Sequence, residues 1–396
     1  MSIIIIVLIC LVAMFLIAEL LRPLRVPRVV CNVLAGIILG IPVIKNYIFT
    51  EAGMSVVSFL ADIGVIVLLF FVGLQINFKQ VTKNVLPSAG VSFFNTILPL
   101  GLGFVASKYL FNMSNSESII IGVCMSVSAT AIALDLMEEF NKLRTKLGTF
   151  IVTAGTFDDI VELFLITGIL TFLETAVKQT GLLQLFIGLM VFLAFTILFR
   201  LWVIPVIFRF IERQQERALI FAGALMIMLT MAALAELLEV GALIGALFSG
   251  VIIRQVLLKD AGHKPWERAE ITHTIHTVAF GFLVPFFFLH VGMQANIFAI
   301  WSNIGFGLVI TALAIFGTVF GSAFGYALVN KNWEEGWIVG WAVNAKGDTE
   351  LIIADLALSA GVITGIVYSS LIFMAVVSTL ISPYVLKKLI LKHKWR

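Results

Sequence analysis

The sequence predicts an all-α polytopic membrane protein of about 13 transmembrane helices, built as two inverted-topology six-helix repeats whose broken helices cross. Three observations carry that expectation. The composition is too apolar for water, polar interruptions cut the chain into bilayer-sized lengths, and two passages recur half a chain apart with an odd number of helices between them.

Of the 396 residues, 61% are hydrophobic and 12% charged, whereas a soluble domain carries about 25% charged residues. Crossing about 30 Å of hydrocarbon takes about 20 apolar residues in a helix. Cutting at the polar interruptions leaves spans at approximately 3–21, 28–44, 53–74, 84–109, 117–139, 147–173, 182–208, 217–236, 240–258, 275–294, 301–329, 334–360 and 363–386. Strands of a membrane barrel would alternate polar and apolar residues over about ten positions, and these runs do not. The first span has no basic region before it and no small-residue cleavage site after it, so it counts as a helix and not as a signal peptide. Cys10, Cys31 and Cys124 fall inside spans at no metal-ligand spacing and read as packing residues.

Charge placement gives the orientation. All but five of the 26 Lys and Arg lie in loops after odd-numbered spans, at the span ends that border those loops, or in the C-terminal tail. Lys45, Lys108 and Lys178 lie on the opposite side, and Arg200 and Lys346 fall within spans. The positive-inside rule then puts the N-terminus outside and the tail KKLILKHKWR in the cytoplasm, as expected in the plasma membrane of a prokaryote. The basic residues report topology, and no nucleic-acid site is read in them.

The passages IVLLFFVGLQIN (66–77) and LVPFFFLHVGMQAN (283–296) resemble each other, as do VLAGIILG (33–40) and LIGALFSG (243–250). The offset of about 210 to 219 residues moves the chain by seven spans, so the second copy is inserted the other way up. The expected organisation is one repeat over about 1–175, a linker helix at about 180–210 and a second repeat over about 215–390, with no cytoplasmic regulatory domain. Inverted repeats characterise secondary transporters, whose ion sites sit near the midplane where a helix of each repeat is broken. The same offset relates two polar interruptions, SVSATA (126–131) and NAKGDTE (344–350). A broken helix exposes free N–H groups at one end and free carbonyls at the other, and these need partners. Lys346, Asp348 and Glu350 are candidates for that task, and some of these charges therefore read as structural compensation.

Within TAGTFDDIVEL (153–163), Asp158, Asp159 and Glu162 sit between almost unbroken apolar flanks. Ionised carboxylates inside a membrane are costly and face a water-filled cavity or a cation. Adjacent helical residues point about 100° apart, and Glu162 is one turn on from both aspartates. Such a face offers oxygen ligands to a hard cation. Burial also favours the protonated acid, so proton and cation compete for one group, and competition suffices for antiport.

These motifs together resemble the cation:proton antiporter-2 family, which includes NapA-type sodium/proton antiporters and the glutathione-gated potassium efflux systems. The segments that carry the resemblance are VPRVVCNVLAGIILGIP, FFVGLQIN, SATAIALDLMEE, FDD and AKGDTELIIA, in that order over essentially the whole chain. The resemblance implies the sodium/proton antiporter fold, a homodimer and an elevator motion of an ion-carrying core. It makes Asp159 the essential ion-binding carboxylate. Asp158 matches a position that is Asp in sodium/proton exchangers and Gln in the potassium branch. Thr130, with Ser128 beside it, supplies hydroxyls from the first broken helix, so that Na+ is expected at Asp158, Asp159 and Thr130. Lys346-Gly347-Asp348 matches an Arg-Gly-Glu motif. Two departures stand out: Thr318 occupies the place of a lysine found in electrogenic relatives, and Glu162 replaces an apolar residue. Glu162, Lys346, Asp348 and Glu350 are accordingly candidate additional proton carriers or ion-pair partners.

The predicted function is exchange of a monovalent cation, Na+ or Li+, for protons, with no cofactor beyond the transported ions. Potassium/proton exchange is the alternative, followed by a sodium-coupled organic anion symporter. An intramembrane aspartyl protease would need one Asp on each of two helices, and a lysine beside the pair would disturb their shared proton; no enzyme activity is expected. The topology is testable: a cysteine introduced near Lys178 is labelled from outside intact cells, and one near Lys264 only after permeabilisation. The reverse pattern would overturn the span count and the inverted repeat together.

Overall fold

The computed structural model describes residues 2–24, 26–75, 85–143, 145–178, 182–203, 217–259 and 275–393, and among them every regular element is helical. Lys264, several other basic loop residues and the end of the 182–208 span lie outside the described residues. In chain order the helices are α1 (Ile3–Leu21), α2 (Arg28–Leu39), α3 (Pro42–Ile48), α4 (Glu51–Gln75), α5 (Val85–Val105), α6 (Asn115–Ser126), α7 (Ala131–Glu139), α8 (Lys146–Lys178) and α9 (Leu182–Leu198). They continue as α10 (Arg217–Leu237), α11 (Ala242–Lys259), α12 (Val284–Gln294), α13 (Ile297–Ser302), α14 (Ile304–Asn330), α15 (Trp333–Ala342), α16 (Thr349–Ser359) and α17 (Gly365–Lys392).

Among the described residues, six helices are long and apolar enough to cross a bilayer unaided, and α2 with α3 adds a seventh bent by 83°. The bend falls at Gly40-Ile41-Pro42, where Pro42 lacks an N–H and pushes the preceding residue out of helical geometry. The other expected spans correspond to α6 with α7, to α15 with α16, to α8 with its three mid-helix acids, and to the shorter apolar stretches Met190–Trp202, Phe221–Leu237 and Ala242–Gln255. The short helix α13 precedes α14, and Asn303 between them shifts the expected start of that span from 301 to 304. Cys10, Cys31 and Cys124 are buried and free, as packing residues should be.

By compactness the chain falls into two units. One comprises Met1–Thr50, Phe78–Ile166 and Phe288–Arg396, and the other Glu51–Asn77 and Thr167–Phe287. Each unit contains a seam between a helix of the first half of the chain and one of the second. In the first unit α2 lies against α12, so close that a Cβ on Gly292 would sit 2.1 Å from the Val33 carbonyl oxygen, and one on Gly36 2.0 Å from that of Leu289. In the second unit α4 lies against α11: a Cβ on Gly73 would meet the Leu247 carbonyl oxygen at 2.1 Å, and one on Gly250 that of Phe70, also at 2.1 Å. Gly73 and Gly292 are equivalent positions in FFVG and LHVG. The repeat in the sequence therefore reappears as two equivalent backbone contacts. Lipid tails are as apolar as Leu, so helices in a membrane associate through close packing of small residues.

A third seam positions the polar centre of the first unit. Gly317, Gly321 and Gly325 recur every fourth residue on α14 and face α5, with a Cβ on Gly321 placed 2.4 Å from the Phe94 carbonyl oxygen and one on Gly325 2.6 Å from that of Gly90. Alanine at Gly73 or Gly292 should lower the thermal unfolding midpoint in detergent by several degrees, since overpacking costs about 1–3 kcal/mol. Gly101→Ala is the matched control, because nothing lies within 4 Å of its added carbon. Equal midpoints for all three variants would show that the seams tolerate a side chain.

Candidate functional site

Helix α6 stops at Ser126, whose hydroxyl turns back to the Val123 carbonyl (2.8 Å), and the chain runs extended through Val127 before α7 begins at Ala131. Helix α15 stops at Ala342, and α16 restarts at Thr349 with Asp348 as its cap, the Thr349 N–H donating to Asp348 Oδ1 at 3.1 Å. Ser, Thr, Asn and Asp offer the backbone local alternatives to helical hydrogen bonds, which is why both interruptions fall where these residues cluster. The two breaks cross. The Ala129 N–H donates to the Ala345 carbonyl at 2.7 Å, and a Cβ on Gly347 would lie 2.9 Å from that of Ala129.

Lys346 sits at the crossing with 1% of its surface exposed. Its ammonium donates to the Met125 carbonyl (2.8 Å), to the Val127 carbonyl and to the Thr318 hydroxyl (3.3 Å). A cation thus occupies the carbonyl end of α6, where the helix dipole is negative. On the other strand of the crossing, α17 clasps the unwound segment. The Lys346 N–H donates to Thr379 Oγ1 (3.1 Å), the Thr379 hydroxyl donates to the Lys346 carbonyl, and Asn344 Nδ2 donates to Ser382 Oγ (2.9 Å).

Helix α8 delivers the acids to the same place. Glu162 Oε1 accepts the Ser128 N–H at 2.6 Å. An acid from α8 and an ammonium from the second break therefore satisfy opposite ends of the first break. Among the described residues Lys346 has no carboxylate within ion-pair distance; its three donors are spent on the carbonyls and Thr318. Asp348 is a helix cap, and Glu350 is buried in the first turn of α16, where its own carbonyl accepts a weak hydrogen bond from Cys124 Sγ (3.7 Å).

The two aspartates differ. Asp158 is 3% exposed and accepts from Ser92 Oγ (3.1 Å), Asn95 Nδ2 (2.8 Å) and the Ser128 hydroxyl. Asp159 is only half-buried and among the described residues receives no hydrogen bond. Thr130 is buried on the α8 side of the break, where Gly155 makes room for it: a Cβ there would lie 2.9 Å from Thr130 Oγ1. Gly155 is one turn before Asp159, on the same helical face. Asp158, Asp159, Glu162 and Asp348 are close enough for their charges to interact. Among the described residues no three His, Cys, Asp or Glu side chains converge so that they could hold a metal ion by themselves. A cation here would need hydroxyl or carbonyl oxygens as well.

Sequence reasoning missed Ser92, Asn95 and Ser322. Their signal is present: Ser88, Ser92 and Asn95 recur at i, i+4 and i+7 along one face of apolar α5, and Ser322 follows Thr318 by one turn on α14.

Comparison with known proteins gives one consistent picture. The transmembrane sodium/hydrogen exchanger family matches residues 6–392. A Na(+)/H(+) antiporter of Enterococcus hirae is 26% identical over 373 residues, 92% of either chain. The Na(+)/H(+)-K(+) antiporter GerN of Bacillus cereus is 26% identical over 361 residues, covering 91% of this chain and 89% of its own. The fold matches the sodium proton antiporter MjNhaP1 of Methanocaldococcus jannaschii with a TM-score of 0.65 at 16% identity, covering 97% and 96% of the two chains. The site geometry makes its own prediction. Glu162→Gln keeps an oxygen for the Ser128 N–H and should unfold near the wild-type temperature, whereas Glu162→Ala orphans that donor and should lose about 1–3 kcal/mol. Thermal melts in detergent that fail to separate the two variants would remove Glu162 from the support of the break.

Proposed function

The chain belongs to the sodium/hydrogen exchanger family, and on that premise we propose that it exchanges a monovalent cation, Na+ first and Li+ with it, for protons at Asp159. One observation carries this reading. Of two neighbouring aspartates in the membrane, Asp158 is saturated by three neutral donors while Asp159 has none and keeps contact with the surface. A carboxylate without donors must take a proton or a cation to offset its charge. Either occupant excludes the other, and that exclusion couples the two flows. The Thr130 hydroxyl, with the carbonyl oxygens of Ser128 and Ala129 in the unwound segment, completes the cation's shell, with Asp158 contributing field more than coordination.

Every group just named lies in one compact unit, so an elevator motion that moves this unit as a body carries the site intact. Lys346 is fixed on the carbonyls and Thr318, and Glu162 is anchored to the Ser128 N–H, and we assign neither of them a second transported proton. One cation then exchanges for one proton, without net charge movement. The proposed setting is a homodimer in the plasma membrane of a prokaryote, with the N-terminus outside and the C-terminus cytoplasmic; the placement of basic residues supports the orientation. The division into repeats of about 1–175 and 215–390 around a linker helix belongs to the same proposal, and the matched glycine seams favour it. Potassium/proton exchange is the second reading, favoured by the likeness to GerN.

Proton flux in liposomes, with Li+, Na+, K+ or choline added outside, tests the proposal and ranks the cations. Wild-type protein should move protons with Na+ and Li+, not with choline, and at a rate indifferent to an imposed membrane potential. Asp159→Asn keeps the shape but cannot exchange a proton, and should abolish the flux while leaving a folded protein. Normal antiport by that variant would remove Asp159 from the mechanism.

A further inference from the structure

Asn95 lies on α5 with 1% of its surface exposed, and every polar atom of its side chain is engaged. Nδ2 donates to Asp158 Oδ2 on α8 at 2.8 Å and reaches Ser128 Oγ in the first break at 3.5 Å. Oδ1 accepts from Ser322 Oγ on α14 at 3.2 Å. The carboxylate fixes the sense of the amide: it only accepts, so the NH2 faces Asp158 and Oδ1 is left to accept from the Ser322 hydroxyl. The approach is possible because Gly321, next to Ser322, brings α14 onto the α5 backbone at Phe94. One amide thus links three helices, α5, α8 and α14, and the unwound segment of the first break.

We propose that Asn95 is a positioning residue that sets how tightly the site holds its cation, by keeping Asp158 committed to the protein. The inference rests on the antiport reading above. A carboxylate accepting hydrogen bonds from an amide and two hydroxyls has much of its charge answered by fixed dipoles. Of the two aspartates, Asp159 is then the one left open to an ion. Without Asn95, Asp158 keeps the donors Ser92 and Ser128, but its Oδ2 is less satisfied and turns its charge toward the cation. Two acids in place of one hold the ion more firmly, and most firmly when it is small. Release slows for the same reason. Asn95 therefore trades affinity for turnover.

The test measures KM and kcat for Na+, Li+ and K+ by proton flux in liposomes holding wild type, Asn95→Ala, Ser322→Ala and the double variant. For Asn95→Ala, the KM for Na+ should fall about tenfold or more, the scale of one hydrogen bond to a charged group. The ratio of the K+ KM to the Na+ KM should rise, and kcat should drop. Ser322→Ala should shift KM in the same direction by less, because it only frees the amide to turn. The double variant should match Asn95→Ala, since both changes act through one contact. A merely structural role lowers the amount of active protein and leaves KM alone, so an unchanged or raised Na+ KM in Asn95→Ala overturns the proposal. If Asn95→Ala does not fold, Ser322→Ala decides: a lowered Na+ KM supports the proposal, and an unaltered one overturns it. Absence of cation-dependent flux in the wild type would instead sink the antiport reading itself.

Discussion

The ammonium of Lys346 in the carbonyl end of α6 is the interaction on which the rest depends. Two interrupted helices in a membrane leave backbone groups that hydrocarbon cannot satisfy. Here one side chain from the second interruption answers the first, and the crossing is closed by the backbone bond from Ala129 to Ala345. The ammonium is buried with no carboxylate in contact among the described residues, a costly arrangement when nothing offsets it. What offsets it is the dipole of α6, the Thr318 hydroxyl and the more distant charges of Glu350, Glu162 and Asp158. Placing the cation on carbonyls and not on an acid leaves the acids of α8 for other work.

That work is divided between adjacent residues of identical chemistry. A helix turns successive side chains about 100° apart, and at Asp158 and Asp159 this rotation separates a carboxylate held by Ser92, Asn95 and Ser128 from one that nothing holds. The first supplies a fixed charge. The second is the one that, on the antiport reading, binds a proton or a cation in turn. Two carboxylates equally satisfied would bind neither, and two equally bare would hold their ion too firmly to release it.

Much of this was legible in the sequence, and the limits have physical causes. Helix lengths, the inverted repeat and both interruptions followed from hydropathy, because a bilayer imposes one length scale and forbids unsatisfied backbone. The acids at 158, 159 and 162 stood out for the same reason. The partner of Glu162 was not legible: its choice of a backbone N–H depends on where the break in α6 falls relative to α8, a distance no spacing encodes. Lys346 was a candidate to answer the free groups of a broken helix, and it reaches the carbonyls of the first break; which groups it would reach depends on how the two breaks cross, which no spacing encodes. Asn95 was overlooked since a lone amide in an apolar helix reads as noise, and only the stripe it forms with Ser88 and Ser92 marks a face.

The glycine seams also constrain how the molecule comes into being. Gly36 meets Gly292, and Lys346 reaches back 221 residues to Met125. A membrane chain is threaded from its N-terminus at about 5–20 residues per second, so the first interrupted helix is made many seconds before the lysine that closes it. Until then its carbonyls have only water, lipid headgroups or the insertion machinery for company. The first half of this chain is therefore an unfinished object whose polar middle cannot settle into hydrocarbon. Assembly must end, not begin, with the crossing of the two breaks, and a ribosome stalled before residue 346 would leave a product fit only for degradation.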